Sequence, residues 1–181
     1  MSTSQIVLAV VAAVLFFWAI GGYNRMVALR NAIAAAWARV EEPLARRREL
    51  LVQLVNLVRP ELTGDHGALN AVVAAASQAA AAADAVRARP GSARAVASFA
   101  MAQAVFDAAA GQLLATIENG DALRARAEVA TALAGGREAE AGIAFARQGF
   151  NEAVTRYNEA ARLFPTRILS WLFGFTAAGA W

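Results

Sequence analysis

The sequence predicts an all-α protein, in which an N-terminal transmembrane helix continues into a long antiparallel helical bundle of about four helices, the first and fourth longest. Three observations predict it. An uncharged, apolar run opens the chain. Behind it, apolar residues recur at steps of three and four, the period of one helix face. The turn signals are few and widely spaced: Pro60, Pro90-Gly91, Asn119-Gly120 and Pro165. No stretch alternates as a strand does.

The anchor comes first. No charge occurs from Met1 to Asn24, and Ile6 to Gly22 is apolar throughout. At ~1.5 Å per residue that run makes roughly 25 Å of helix, near the short end for a span. Trp18 and Tyr23 suit the interface at its far end. A cleaved signal peptide is the competing reading. It carries a basic leading region, and nothing basic precedes Arg25, so a retained anchor over residues 1–22 is favoured. Arg25, Arg30 and Arg39 all follow the span, which by the positive-inside rule puts the body in the cytoplasm. Arg25 and Arg30 also lie where acidic lipid headgroups would be met.

The bundle is assigned to residues 23–164. Met26, Leu29, Ile33, Ala36, Val40, Leu44, Arg47, Leu51, Leu54 and Val58 form a heptad-like stripe, widened by Trp37, Leu50 and Val55. Pro43 interrupts it, either as a kink, which is favoured, or as the first turn of a new helix. Glu61 to Gly67 reads as a loop. Ala68 to Arg89 is alanine-rich and helical by propensity. Ser92 is placed to cap a third helix running to about Glu118, with Val96, Phe99, Ala102, Phe106, Ala110 and Leu113 on one face. Asp121 is read as the cap of a fourth helix from about Ala122 to Phe164, with Gly135-Gly136 as its weak point. Ile143, Ala146, Phe150, Val154, Tyr157, Ala161 and Phe164 mark its apolar side.

Residues 165–181 form an apolar, aromatic end carrying Trp171, Phe173, Phe175 and Trp181. Such a segment packs on the bundle, lies at the membrane interface or contacts a neighbouring subunit. The interface reading groups these four aromatics with Trp18, Tyr23, Arg25 and Arg30.

Composition removes most chemistry. The chain has no cysteine and one histidine, so disulfides, zinc–cysteine sites and a cysteine nucleophile are excluded, and no cofactor or metal site is expected. No nucleophile–base pair or carboxylate dyad stands out, and the expectation is a non-enzyme. Its 17 basic residues are dispersed arginines, which argues against nucleic acid as a partner. The 49 alanines and the anchor account for an apolar fraction of 59%. Polar residues inside helical stretches are read as inter-helix or inter-subunit contacts: Asn24, Arg46, Arg47, Asn151, Tyr157 and Asn158. Arg47 falls on the apolar stripe and needs a partner, with Glu140 or Glu152 as candidates.

Two sets of residues resemble the LemA family. The first is Tyr23-Asn24-Arg25, Leu29-Arg30-Asn31, Trp37, Leu44 with Arg46-Arg47, and Leu51-Val52-Gln53-Leu54-Val55. The second is Ile143-Ala144-Phe145-Ala146-Arg147, Phe150-Asn151, Val154, Tyr157-Asn158, Phe164-Pro165 and Gly174-Phe175. Glu49 stands where the family usually has aspartate, and Phe150 replaces a tyrosine. The resemblance implies an N-terminally anchored, long-helix protein of the bacterial inner membrane, without enzymatic activity. By analogy with a magnetosome-associated branch it implies a part in organising membrane. The expected partners are the bilayer, further copies of the chain and other membrane proteins. Self-association that scaffolds or remodels membrane is the leading functional reading. An adaptor presenting its helical surface to a partner protein is the alternative.

Overall fold

The computed structural model describes residues 2–61, 66–163 and 166–181, and among them there is no strand. The helices are α1 (Thr3–Val58), α2 (Gly67–Ala88), α3 (Ala93–Glu118), α4 (Asp121–Arg124), α5 (Ala127–Arg162) and α6 (Thr166–Phe173). The apolar N-terminal run and the first body helix are one element. The 56 residues of α1 reach roughly 84 Å at ~1.5 Å per residue.

Pro43 neither ends nor restarts α1. It removes one backbone donor from the turn. Its ring faces Gly142 of α5, where an added Cβ would stand 3.3 Å from the proline Cβ. The glycine lets the two helices close around the ring. Gly135 does the same opposite Leu50, where a Cβ would stand 3.1 Å from a leucine methyl. Gly135-Gly136 is therefore a packing point within an unbroken α5.

These pairs set the register. Leu50 lies opposite Gly135, and Pro43 opposite Gly142, so α5 runs antiparallel to α1. Arg59 donates to Asn70 at 3.3 Å and Arg87 pairs with Glu41, so α2 also runs antiparallel to α1. Trp37 meets Phe99 and Arg47 meets Asp107, so α3 runs parallel to α1. The main packing is α1 along α5 and α2 along α3, with α2 resting on α1. Small alanine faces let α2 and α3 approach closely. Ser92 caps α3 by accepting from the Ala95 N–H at 3.2 Å. Gln103, where the sequence pointed to Ala102, is the buried residue on that face.

The fourth long helix begins later than its pattern suggests. Asp121 is the first residue of the short α4, with Gly120 in the capping position. The chain breaks at Ala125-Arg126 before α5 starts. The physical reason is Arg126, which donates to the Leu57 carbonyl at 3.1 Å and pairs with Glu61 at 2.6 Å and Glu128 at 2.9 Å. A cation there satisfies an orphan carbonyl in the last turn of α1 and complements its dipole.

Buried side chains form two clusters. One, far from the N-terminus, joins Leu50, Leu54, Leu69, Phe106, Leu113 and Val129. The other joins Met26, Ile33, Trp37, Phe99, Phe150 and Tyr157, together with Ala178 from the C-terminal end. The expected α1 stripe is buried at every position except Leu29, which is half-buried.

Candidate membrane-facing site

The apolar start of α1 has nothing packed on it. Leu8 and Phe17 are each 70% exposed, and residues 2–17 are exposed throughout. Leaving so large a contiguous apolar surface in water is strongly unfavourable, at ~25 cal/mol per Å². By length and composition α1, α2 and α3 can each cross a membrane. α2 and α3 bury part of that apolar length within the chain, whereas α1 buries none of its apolar window.

An aromatic collar sits where this surface ends. Trp18 is half-buried, and Tyr23 lies 5.1 Å from Phe173 and 5.9 Å from Phe175 between ring centroids. The collar forms because antiparallel α5 returns to the level of Tyr23 before α6 begins. α6 leaves Ile168, Leu172 and Phe173 exposed near the apolar start of α1. Arg25 and Arg30 are exposed on the body side of Tyr23. The side chain of Trp171 lies outside the described residues. Gly174, with φ +68°, ends α6 in a left-handed turn that favours glycine.

From that turn the chain runs back along α5, away from the collar. The Tyr157 hydroxyl donates to the Thr176 carbonyl at 3.1 Å. Asn158 accepts from the Ala178 N–H at 2.8 Å and donates to the Ala178 carbonyl at 2.9 Å. Asn151 accepts from the Trp181 N–H at 2.8 Å and donates to its carbonyl at 2.5 Å. The two asparagines are seven residues apart, ~10.5 Å along a helix, and three extended residues span about the same distance. That match lets one helix face hold the backbone at two points. Arg147 adds a hydrogen bond to the Trp181 oxygen at 2.8 Å and stacks over its ring at 4.9 Å. At Gly179 an added Cβ would stand 2.5 Å from Ala93 Cα, so only glycine allows the segment to pass the start of α3. Burial pushes the Tyr157 phenol above its ordinary pKa, opposed by the charge of Arg30.

The structure thus sorts the expected residues. Tyr23, Phe173 and Phe175 come together with Arg25 nearby. Trp181 leaves that group, because its ring packs on Phe99 at 4.9 Å, and Phe99 packs on Trp37. Trp37 lies fourteen residues beyond Tyr23, ~21 Å further along α1. Asn151, Tyr157 and Asn158 make polar contacts to the C-terminal backbone. Arg47 is buried, pairing with Asp107 at 2.5 Å and Glu140 at 3.2 Å over the Phe106 ring. Glu140 was foreseen and Asp107 was not. Asn24 and Arg46 are exposed and, among the described residues, make no inter-helix hydrogen bond; the inter-subunit contact that the sequence equally allows is open to them. Arg147 and Gly179 carried no local signal.

These features define an all-helical protein whose N-terminal helix is long and apolar enough to cross a membrane. The LemA family model matches residues 36–181, most of the chain, and the protein belongs to the LemA family. The match takes in Trp37, the arginine pair and the clamped C-terminal segment, and leaves out the apolar start of α1. A search of curated proteins found no match.

Proposed function

We propose that this protein is a non-enzymatic, single-pass membrane protein that self-associates and scaffolds or remodels the bilayer. The observation that carries the reading is the wholly exposed apolar start of α1 ending at an aromatic collar. An unpartnered surface of that kind is stable in lipid. α6 then lies along the same interface as a short amphipathic segment. By the positive-inside rule Arg25, Arg30 and Arg39 favour a body on the cytoplasmic side of the bacterial inner membrane. Nothing in the proposal requires a cofactor or nucleic acid. The body of α1 beyond the collar, from Asn24 to Val58, reaches ~52 Å at ~1.5 Å per residue and stands well clear of the bilayer. It offers long helix faces to other copies.

The test is the mass and shape of the full-length protein in mild detergent, with electron microscopy of vesicles carrying it. A discrete multi-subunit particle and altered vesicle shape are expected. A monodisperse monomer on unchanged vesicles contradicts scaffolding and favours the adaptor reading, in which the same helix faces meet a different protein.

A further inference from the structure

We infer that the open groove between α1 and α5 is the surface through which a second copy of this chain docks side by side; this rests on the self-association proposed above and names its contact. The groove encloses about 1130 Å³ and is lined by small and apolar residues and by charged ones of both helices, Glu42 and Arg156 among them, with Phe145 on its α5 side. Phe145 is 83% exposed, the most exposed of the large apolar side chains among the described residues. In register it lies level with about Val40, about 17 residues or ~25 Å along α1 beyond Tyr23, well clear of the span. Lipid therefore does not cover it.

Charge decides the occupant. On α5, Glu138, Phe145 and Glu152 recur every seven residues along the groove, so they share one stripe. On α1, Arg39 and Arg46 do the same on the opposite rim. The pairing of Pro43 with Gly142 and Leu50 with Gly135 puts Arg46 level with Glu138, and Arg39 level with Phe145. Among the described residues Arg39, Arg46 and Glu138 make no ion pair within the chain.

Two anchored copies must stand the same way up in one bilayer. The twofold axis relating them therefore runs along the helices, and equal heights face each other. The α1 rim of one copy then meets the α5 rim of the other. Arg46 faces the partner copy's acidic position 138, and Arg39 faces its aromatic position 145, a cation–π geometry. The groove is thus self-complementary under the one symmetry that membrane anchoring allows. A face with a single sign of charge would repel its own copy.

The experiment uses full-length chains in mild detergent, compared by light scattering across a dilution series. Phe145→Asp and Arg46→Glu are each expected to weaken association at least about tenfold. The double variant Arg46→Glu with Glu138→Arg is expected to recover most of it, because the pair is restored with reversed polarity. Circular dichroism of each variant separates lost docking from lost folding. The chain has no cysteine, so a second measurement is clean: mixing Arg46→Cys chains with Glu138→Cys chains in vesicles should give mixed disulfide dimers on oxidation. Oligomers that persist in every variant, with no mixed dimer, overturn the groove as the contact and leave self-association standing. A monomeric wild type overturns both.

Discussion

The two ends of the body bury similar cores in different ways. At the end far from the anchor, α1, α2, α3 and α5 all contribute, and Leu54, Leu69, Phe106, Leu113 and Val129 meet side chain to side chain. At the collar end α2 and α3 have already turned back, at Pro90-Gly91. Ala83, Val86, Val96 and Phe99 of those two helices still reach the collar-end cluster; nearer the anchor α1 and α5 continue, and the extended segment 176–181 lies along α5 beside the start of α3. Helices supply their own backbone hydrogen bonds, whereas an extended segment must find partners elsewhere. Asn151, Tyr157 and Asn158 are those partners. The far end is specified mainly by apolar pattern, supplemented by the ion pairs of Arg47 and Arg126, and the collar end by a few polar side chains aimed at a backbone.

The comparison breaks most sharply at the aromatic junction. Trp37 contacts Phe99 at 5.0 Å and Phe150 at 5.6 Å, and Phe99 carries Trp181. Phe99→Ala should cost about 3–5 kcal/mol through the cavity it leaves, and release the C-terminal segment as well. Thermal melting and hydrogen exchange would show both losses, with the far core still protected.

Removing the clamp comes next. Asn151→Ala with Asn158→Ala deletes four backbone hydrogen bonds, at about 1 kcal/mol each net. The expected loss is about 2–4 kcal/mol, confined to the collar end. Protease cleavage within 175–181 should rise, while the far core stays protected in hydrogen exchange. Gly179→Ala should expel the same segment through its clash with Ala93 while leaving both asparagines in place, at a cost of about 1–3 kcal/mol. If the segment stays protected in that variant, the close approach is not what holds its path.

At the far end, Asp107→Ala should cost about 1–2 kcal/mol. It removes one of two acidic partners of buried Arg47, and Glu140 remains. The smallest effect is on pH. The Tyr157 phenol is raised above its ordinary value, so its contribution is complete below pH ~10 and is lost as pH rises through the folded value. Protection of the C-terminal segment should therefore fall under alkaline conditions, and Tyr157→Phe should remove that dependence.

Much of this architecture was legible from spacing. The α1 stripe from Met26 to Val58, the Ser92 cap and the Asn119 end of α3 follow from local rules that the structure obeys. The start of α5 did not, because Arg126 breaks the helix to reach the Leu57 carbonyl, 69 residues earlier in sequence. Periodicity carries no record of such a contact. Asn151 and Asn158 were visible as polar residues on one face, but their partner is backbone, which has no sequence signature. Trp181 looked interfacial because composition gives no depth. Only the turn at Gly174 and the passage at Gly179 return it to the body.

The most direct test of the account is a depth measurement in bilayers. Single spin labels can be placed on a cysteine-free chain at Val14, Phe173 and Ala180, and their exposure to oxygen and to a polar relaxant compared. The account predicts a lipid-buried label at 14, one near the headgroups at 173, and an aqueous label at 180. A label at 14 in water, or one at 180 as deep as that at 173, would contradict it.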